Sequence, residues 1–211
     1  MDESFKRKPG KFICKLNDFQ IGEIIGAFAG DGSFYHNTHG RSSMYMIRYF
    51  LSYQDDKDYA DYLANIIGKT NLNTNMFFRK YKGKGSTIEL RACSKDLYNF
   101  IKTYIIWEKS DKTCSIRLIK DISGYSNDFL RGFVRGLMDT DGFVETYNIS
   151  LGVISEGLIN NFKTILDKHK IESKLSIRKN REGNRRNLYI CRVLRKKDAL
   201  LKILKTGAAQ I

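Results

Sequence analysis

The sequence predicts an α+β fold in which a single α-β-β-α-β-β-α unit is written twice. Three observations predict it. Asn17-Asp18-Phe19 recurs as Asn127-Asp128-Phe129, 110 residues later, and at that offset Gly22 meets Gly132, Gly26 meets Gly136, Asp31 meets Asp141 and Gly32 meets Gly142. Seven of the sixteen positions from 17 to 32 are therefore identical, all polar, glycine or aromatic, where chance likeness between amphipathic helices would match Leu, Ile or Ala. The hydrophobic pattern then changes in the same order after each copy.

Each repeat opens on a helix of about 13 residues, with Asp18 and Asp128 as the expected N-caps. Each helix ends at Asp-Gly, whose glycine suits the turn out. In the first half a β-type run follows, then the small, polar stretch His39-Gly40-Arg41-Ser42-Ser43, then a second β-type run from Met44 to Tyr53. Asp56 to Ile67 reads as a helix with Tyr59, Tyr62, Leu63, Ile66 and Ile67 on one face. Met76 to Tyr81 and Ser86 to Ala92 flank Lys82-Gly83-Lys84-Gly85 as a hairpin. Leu97, Phe100, Ile101 and Tyr104 mark another helix. The second half repeats the order: a hairpin from Gly142 to Val153, a helix from Ser155 to Lys168, strands flanking Asn180 to Arg186, and a helix from Lys196 to Leu204. The expected domains are a basic arm (1–16), a first half (17–107), a linker (108–126) and a second half (127–211). The linker should be partly helical around Ser115 to Lys120. Pro9 is the single proline, so nothing marks a rigid spacer.

Composition narrows the function classes. Over 211 residues, 37 Lys and Arg face 23 Asp and Glu, a net charge of +14 that favours a polyanionic partner. Hydrophobic residues at 42% suffice for a core and exclude wholesale disorder. No stretch reaches the ~18 apolar residues of a membrane span. Met1 to Lys8 has no apolar run behind its charges, so an intracellular location and no membrane partner are expected. Cys14, Cys93, Cys114 and Cys191 form no Cys-x-x-Cys pair and read as free thiols, Cys93 and Cys191 inside strands. His36 and His39 lack a second pair to complete a zinc site, so they read as turn or nucleic-acid-facing histidines.

The repeated helix carries the chemistry. Gly22 and Gly26, like Gly132 and Gly136, stand four apart on one helix face, each costing about 1 kcal/mol relative to alanine. Such a face admits another backbone at close range. The two helices are therefore expected to pack in parallel through these glycines and bring Asp31 and Asp141 together. Paired carboxylates need a shared proton or a cation between them. A carboxylate at a helix C-terminus also opposes the macrodipole, which argues against a mere capping role. A divalent metal bound by carboxylates, waters and phosphate oxygens resolves both problems and describes a phosphodiesterase site.

Ile24-Ile25-Gly26-Ala27-Phe28-Ala29-Gly30-Asp31-Gly32 and Val134-Arg135-Gly136-Leu137-Met138-Asp139-Thr140-Asp141-Gly142 resemble two copies of the LAGLIDADG motif. The second copy is closer, because Ala29 stands where the motif has its earlier aspartate. Two copies at this spacing resemble the monomeric, pseudo-symmetric LAGLIDADG homing endonucleases of introns and inteins. The resemblance implies two antiparallel four-stranded sheets forming a saddle over duplex DNA. It implies Mg²⁺ or Mn²⁺ as cofactor, with Ca²⁺ as a non-cleaving substitute, at Asp31 and Asp141, and with Gly30 and Thr140 as further metal contacts. It implies cutting of both strands across the minor groove, leaving short 3′ overhangs. Gln54 falls where the family often orders active-site water, and its counterpart is about Val153, which cannot do so. The family's lysine near the metals would correspond to Arg91 and Arg192. Unequal half-sites predict that one strand is nicked faster than the other.

Basic and aromatic residues on strands and hairpins suit a ribbon in the major groove. First-half candidates for DNA contact are Tyr45, Arg48, Tyr49, Arg79, Tyr81, Lys82, Lys84 and Arg91. Second-half candidates are Tyr147, Asn148, Arg178, Arg181, Arg185, Arg186, Asn187 and Arg192. Lys170 to Lys205 holds 13 basic and 3 acidic residues, the densest positive segment. Two rival readings share the fold: a maturase that binds its own intron RNA, and a DNA-binding regulator without catalysis. Intact Asp31 and Asp141 favour the nuclease. The residue usage suggests an AT-rich genome, which fits a mitochondrion or chloroplast in a eukaryote and the cytoplasm otherwise.

Overall fold

The computed structural model describes residues 11–39, 42–80, 85–108, 111–144, 148–179 and 186–194. Along the chain run α1 (Asp18–Ala29), β1 (Gly32–His39), β2 (Ser42–Ser52), α2 (Lys57–Gly68), β3 (Thr74–Lys80), β4 (Ser86–Cys93), α3 (Lys95–Lys102) and β5 (Ile105–Ile106). There follow α4 (Lys112–Ser115), β6 (Arg117–Leu118), a 3₁₀ turn (Ile122–Gly124), α5 (Asn127–Asp141), β7 (Gly142–Val144), β8 (Ile149–Val153), α6 (Glu156–Lys168), β9 (Ser173–Arg178) and β10 (Leu188–Val193). The first repeat is thus α-β-β-α-β-β-α and the second α-β-β-α-β-β. The expected helix from Lys196 to Leu204 lies outside the described residues.

Packing divides the chain differently from the repeat. One compact unit gathers residues 11–16 and 32–100; the other gathers 17–31 and the described residues from 101 onward. The first unit holds an antiparallel sheet in the order β1-β2-β4-β3. Ile47, Tyr49 and Leu51 of β2 and Ile88 and Leu90 of β4 are buried on one face, with Ala60, Leu63, Ile66 and Ile67 of α2 covering it. Strand alternation sends Arg48, Phe50, Glu89 and Arg91 to the opposite face.

The second unit holds the antiparallel sheet β7-β8-β10-β9 with α6 packed on β8, β9 and β10. It also holds α1 and α5, because their glycines lie against each other's backbone. A Cβ at Gly22, Gly26, Gly132 or Gly136 would come within 3.0 Å of a backbone atom of Phe129, Phe133, Phe19 or Glu23, respectively. Contacts advance together along both helices, from Gly22 at Phe129 to Gly30 at Thr140, so the helices run parallel. The helical penalty of the glycines is offset by this approach and by burial of Ile24, Ile25, Phe28, Phe133 and Leu137.

Three local expectations change. The N-caps are Asn17 and Ser126, whose side chains accept from the N–H groups of Gln20 and Phe129; Asp18 and Asp128 sit one and two residues further in, inside the first turn. The glycines of the two Asp-Gly pairs are not left-handed: Gly32 opens β1, and Gly142 has φ −79°. Gly142 is needed instead for contact with Met138, whose Cα would lie 2.7 Å from a Cβ there. The linker's helix is Lys112–Ser115, ahead of the expected span. This segment is tied down by Ser155 Oγ donating to the Ile116 carbonyl (2.6 Å) and by Leu118 N donating to Asn161 Oδ1 (2.9 Å).

Candidate active site

The parallel helices place their C-terminal ends side by side. A Cβ at Gly30 would lie 2.9 Å from Asp141 Oδ2, so the Asp141 carboxylate rests on the residue preceding Asp31. Asp31 and Asp141 line one cavity of about 330 Å³, together with Lys112, Thr113, Val153 and Leu188. Burial holds the pKa of Asp141 above the usual carboxylate value, against the opposing pull of the neighbouring Lys112 ammonium.

Lys112 was not among the expected site residues. Its Nζ donates to the carbonyls of Ala29 and Gly30, both at 3.1 Å, and lies 5.1 Å from the centroid of the Phe28 ring. It caps the negative end of α1 with a cation, as the helix dipole favours. Burial brings its pKa down to about 8, against the opposing pull of Asp141 and Asp31. The four-residue α4 aims it. Ser115 Oγ donates to the Asp111 carbonyl at 2.5 Å and accepts from Glu108 N at 2.8 Å. Arg186 pairs with Asp111 at 2.5 Å and also donates to Cys114 Sγ. The signal for Lys112 was indirect: two carboxylates at helix C-termini require a nearby cation, but no repeat marks which lysine provides it.

The oxygen donors fit a hard divalent cation. Asp31 and Asp141 provide carboxylates, and Mg²⁺ commonly uses one or two of these with waters and substrate oxygens. Among the described residues no group of three or more His, Cys, Asp or Glu forms a fuller cage. The Gly30 carbonyl, expected at the metal, accepts from Lys112. Thr140 turns its hydroxyl back to donate to the Gly136 and Leu137 carbonyls at 3.0 and 3.2 Å.

The remaining expected positions separate by strand parity. Tyr49 is fully buried on the helix-facing side, so it cannot touch DNA. Tyr45 shares that side: it stacks on His36 at 4.3 Å and lies 5.8 Å from Tyr98 of α3. His36 is therefore a strand residue and not part of a turn. Arg48, Arg79 and Arg91 lie on the opposite, open face. Arg91, expected as a counterpart of the family's lysine near the metals, gives its Nε and Nη2 donors to Glu89, both at 2.8 Å. Gln54 falls two residues beyond the end of β2, in an exposed turn. In the second unit Arg192, paired with Ser150 and Lys174, and Arg178, paired with Leu188, occupy the face opposite Leu151 and Cys191. Val153 is buried. Asn148 precedes β8 and Asn187 precedes β10, with Asn187 exposed. Tyr81, Lys82, Lys84, Tyr147, Arg181 and Arg185 lie outside the described residues. All four cysteines are free, with Cys93 and Cys191 in β4 and β10.

Residues 128–205 match the family model of the LAGLIDADG-like domain. An uncharacterized protein of Methanocaldococcus jannaschii is 28% identical over 178 residues, covering 84% of this chain; the chain spans 58% of that protein's length. The structure of the homing endonuclease I-DmoI in complex with DNA and Mn is similar at TM-score 0.65, with 17% identity, over 90% of this chain and 99% of that one. The homing endonuclease I-WcaI bound to its DNA recognition sequence is similar at TM-score 0.55, with 16% identity, over 91% of this chain and 83% of that one. The second half of the chain thus matches a LAGLIDADG-like domain, and over nine-tenths of its length the chain has the fold of these two homing endonucleases.

Proposed function

We propose that this chain is a site-specific homing endonuclease that makes divalent-metal-dependent double-strand cuts in a long duplex DNA target, the insertion site of an intron or intein. One observation carries the reading: Asp31 and Asp141 converge at the ends of two glycine-packed helices, with the half-buried Lys112 ammonium beside them. A structural pair of helix ends has no use for this arrangement, because the carboxylates oppose both each other and the helix dipoles.

Asp31 and Asp141 would hold Mg²⁺ or Mn²⁺, with Ca²⁺ as a non-cleaving substitute. The metal would supply an activated water and charge stabilisation at the leaving oxygen. The chain's own groups do the rest. Lys112 holds the end of α1 in place and sets a positive charge where phosphate oxygens gain charge during cleavage. The apolar cavity wall of Val153, Ile154 and Leu188 limits water around the carboxylates and strengthens their pull on a cation. The net charge of +14 draws in the duplex, and the chain acts as a monomer because both motifs are in one polypeptide.

The test is a library of duplexes incubated with the protein and Mg²⁺, followed by sequencing of new ends. The expected result is cutting at one defined site with short 3′ overhangs. Tight binding without cutting under Mg²⁺ or Mn²⁺ would favour the regulator reading. Selective binding of intron RNA would favour the maturase.

A further inference from the structure

On the open face of the first sheet, Glu89 has no exposed side-chain surface, although it is charged and stands on a central strand. Three arginines cover it. Arg91 grips both its oxygens, with Nε and Nη2 each at 2.8 Å. Arg79 Nη2 lies 2.7 Å from Oε2, and Arg48 Nη1 lies 3.9 Å from Oε1. The guanidinium bond from Arg91 lowers the Glu89 pKa against the effect of burial, so the carboxylate is charged at neutral pH.

The same arginines are fixed a second time. Arg91 lies 4.1 Å over the Phe77 ring, and Arg48 lies 5.3 Å from Phe50 and 5.5 Å from Tyr35. Arg48 Nη2 also donates to Ser33 Oγ at 3.1 Å. Each guanidinium is thus held on one edge by carboxylate or hydroxyl, and two of them also on a face by an aromatic ring. Each arginine has five N–H donors, and the carboxylate consumes only part of that set. Three guanidiniums against one carboxylate leave the patch at +2. A loose phosphate clamp would need no such scaffold, since phosphate contacts position a protein without reading sequence. Fixed guanidinium edges on a sheet match the paired acceptors O6 and N7 of guanine in the major groove.

We propose that Glu89 is a positioning residue that holds Arg48, Arg79 and Arg91 as a rigid guanine-reading constellation on this sheet. The inference rests on the DNA-binding reading above. Without Glu89 the patch rises from +2 to +3 and its arginines are released to reach phosphates of any sequence.

The experiment selects from a randomised 30-base-pair duplex library in Ca²⁺, using wild type, Glu89→Gln and Arg79→Gln. Affinity for unselected duplex and thermal melting are measured in parallel. Wild type is expected to enrich sites with two or three fixed guanines. Arg79→Gln should relax one of them, by roughly 5- to 150-fold in preference. Glu89→Gln should relax several guanines at once while affinity for unselected duplex holds or rises. A merely structural defect would instead weaken selected and unselected binding together, and that result overturns the proposal. So does an unchanged sequence preference in Glu89→Gln. If Glu89→Gln does not fold, the exposed Arg79 carries the test, and an Arg79→Gln variant that relaxes no guanine overturns the proposal. Failure of wild type to enrich any sequence sinks the DNA-binding reading itself, and the inference with it.

Discussion

Lys112 Nζ donates to the Gly30 carbonyl at 3.1 Å, one residue ahead of Asp31. A cation from a non-repeated segment thereby closes a helix end that the repeat built. With Asp141 against the same glycine, Lys112 is the positive partner of two carboxylates and one helix dipole. Replacing it with methionine keeps the apolar stem and removes the charge. Lys112→Met should lower single-turnover cleavage by about 10²–10³-fold, with DNA affinity in Ca²⁺ changed only a few-fold. Equal losses in both would assign Lys112 to binding alone.

The glycine faces predict a sharp contrast between two identical substitutions. Gly26→Ala drives a methyl into the Phe133 backbone, where neither helix can yield. It should cost at least about 3 kcal/mol by urea denaturation. Gly68→Ala, at the end of α2 with nothing within 4 Å, should stabilise by about 0.5–1 kcal/mol. Similar effects at both sites would contradict the packing.

Glu23 of α1 is fully buried, and its Oε1 lies 3.0 Å from Arg135 Nε of α5. Arg135→Leu leaves a buried carboxylate without that guanidinium and should cost about 3–5 kcal/mol. Replacing both residues with leucine should recover most of the loss. A double variant as unstable as the single one would show that the pair does not act as a unit.

His169 ends α6, and its pKa is lowered first by burial and then by Arg131 and Lys168. The sign follows from proton linkage. As pH falls below the unfolded value of about 6.5, the unfolded chain takes up a proton that the folded chain resists. Stability therefore falls from neutral pH down to the folded pKa and levels off below it. His169→Gln should lose less stability than wild type between pH 7.5 and 5.5, measured by urea midpoint. An equal loss would place the pH response elsewhere.

Much of this was legible in the residues. The repeated glycines fixed the helix pair, because only a backbone contact explains their cost, and that pair brought Asp31 and Asp141 together. The strand faces were harder. Met44 to Leu51 is apolar at nearly every position, so no alternation told Tyr45 and Tyr49 from residues on the open face. Asp18 lost the capping role to Asn17 because either side chain can accept from the first turn, and one residue decides which helix start wins. Lys112 lay in a helix of one turn, too short to show a period. Glu89 was hidden for a related reason: a carboxylate amid basic strand residues is informative only once three arginines are seen to converge on it.

The most direct test is strand-resolved cleavage of the selected site in Mg²⁺ by wild type, Asp31→Asn and Asp141→Asn, with binding verified in Ca²⁺. The account predicts that both variants bind the site yet lose metal-dependent double-strand cutting. Double-strand cutting that survives both substitutions would contradict it.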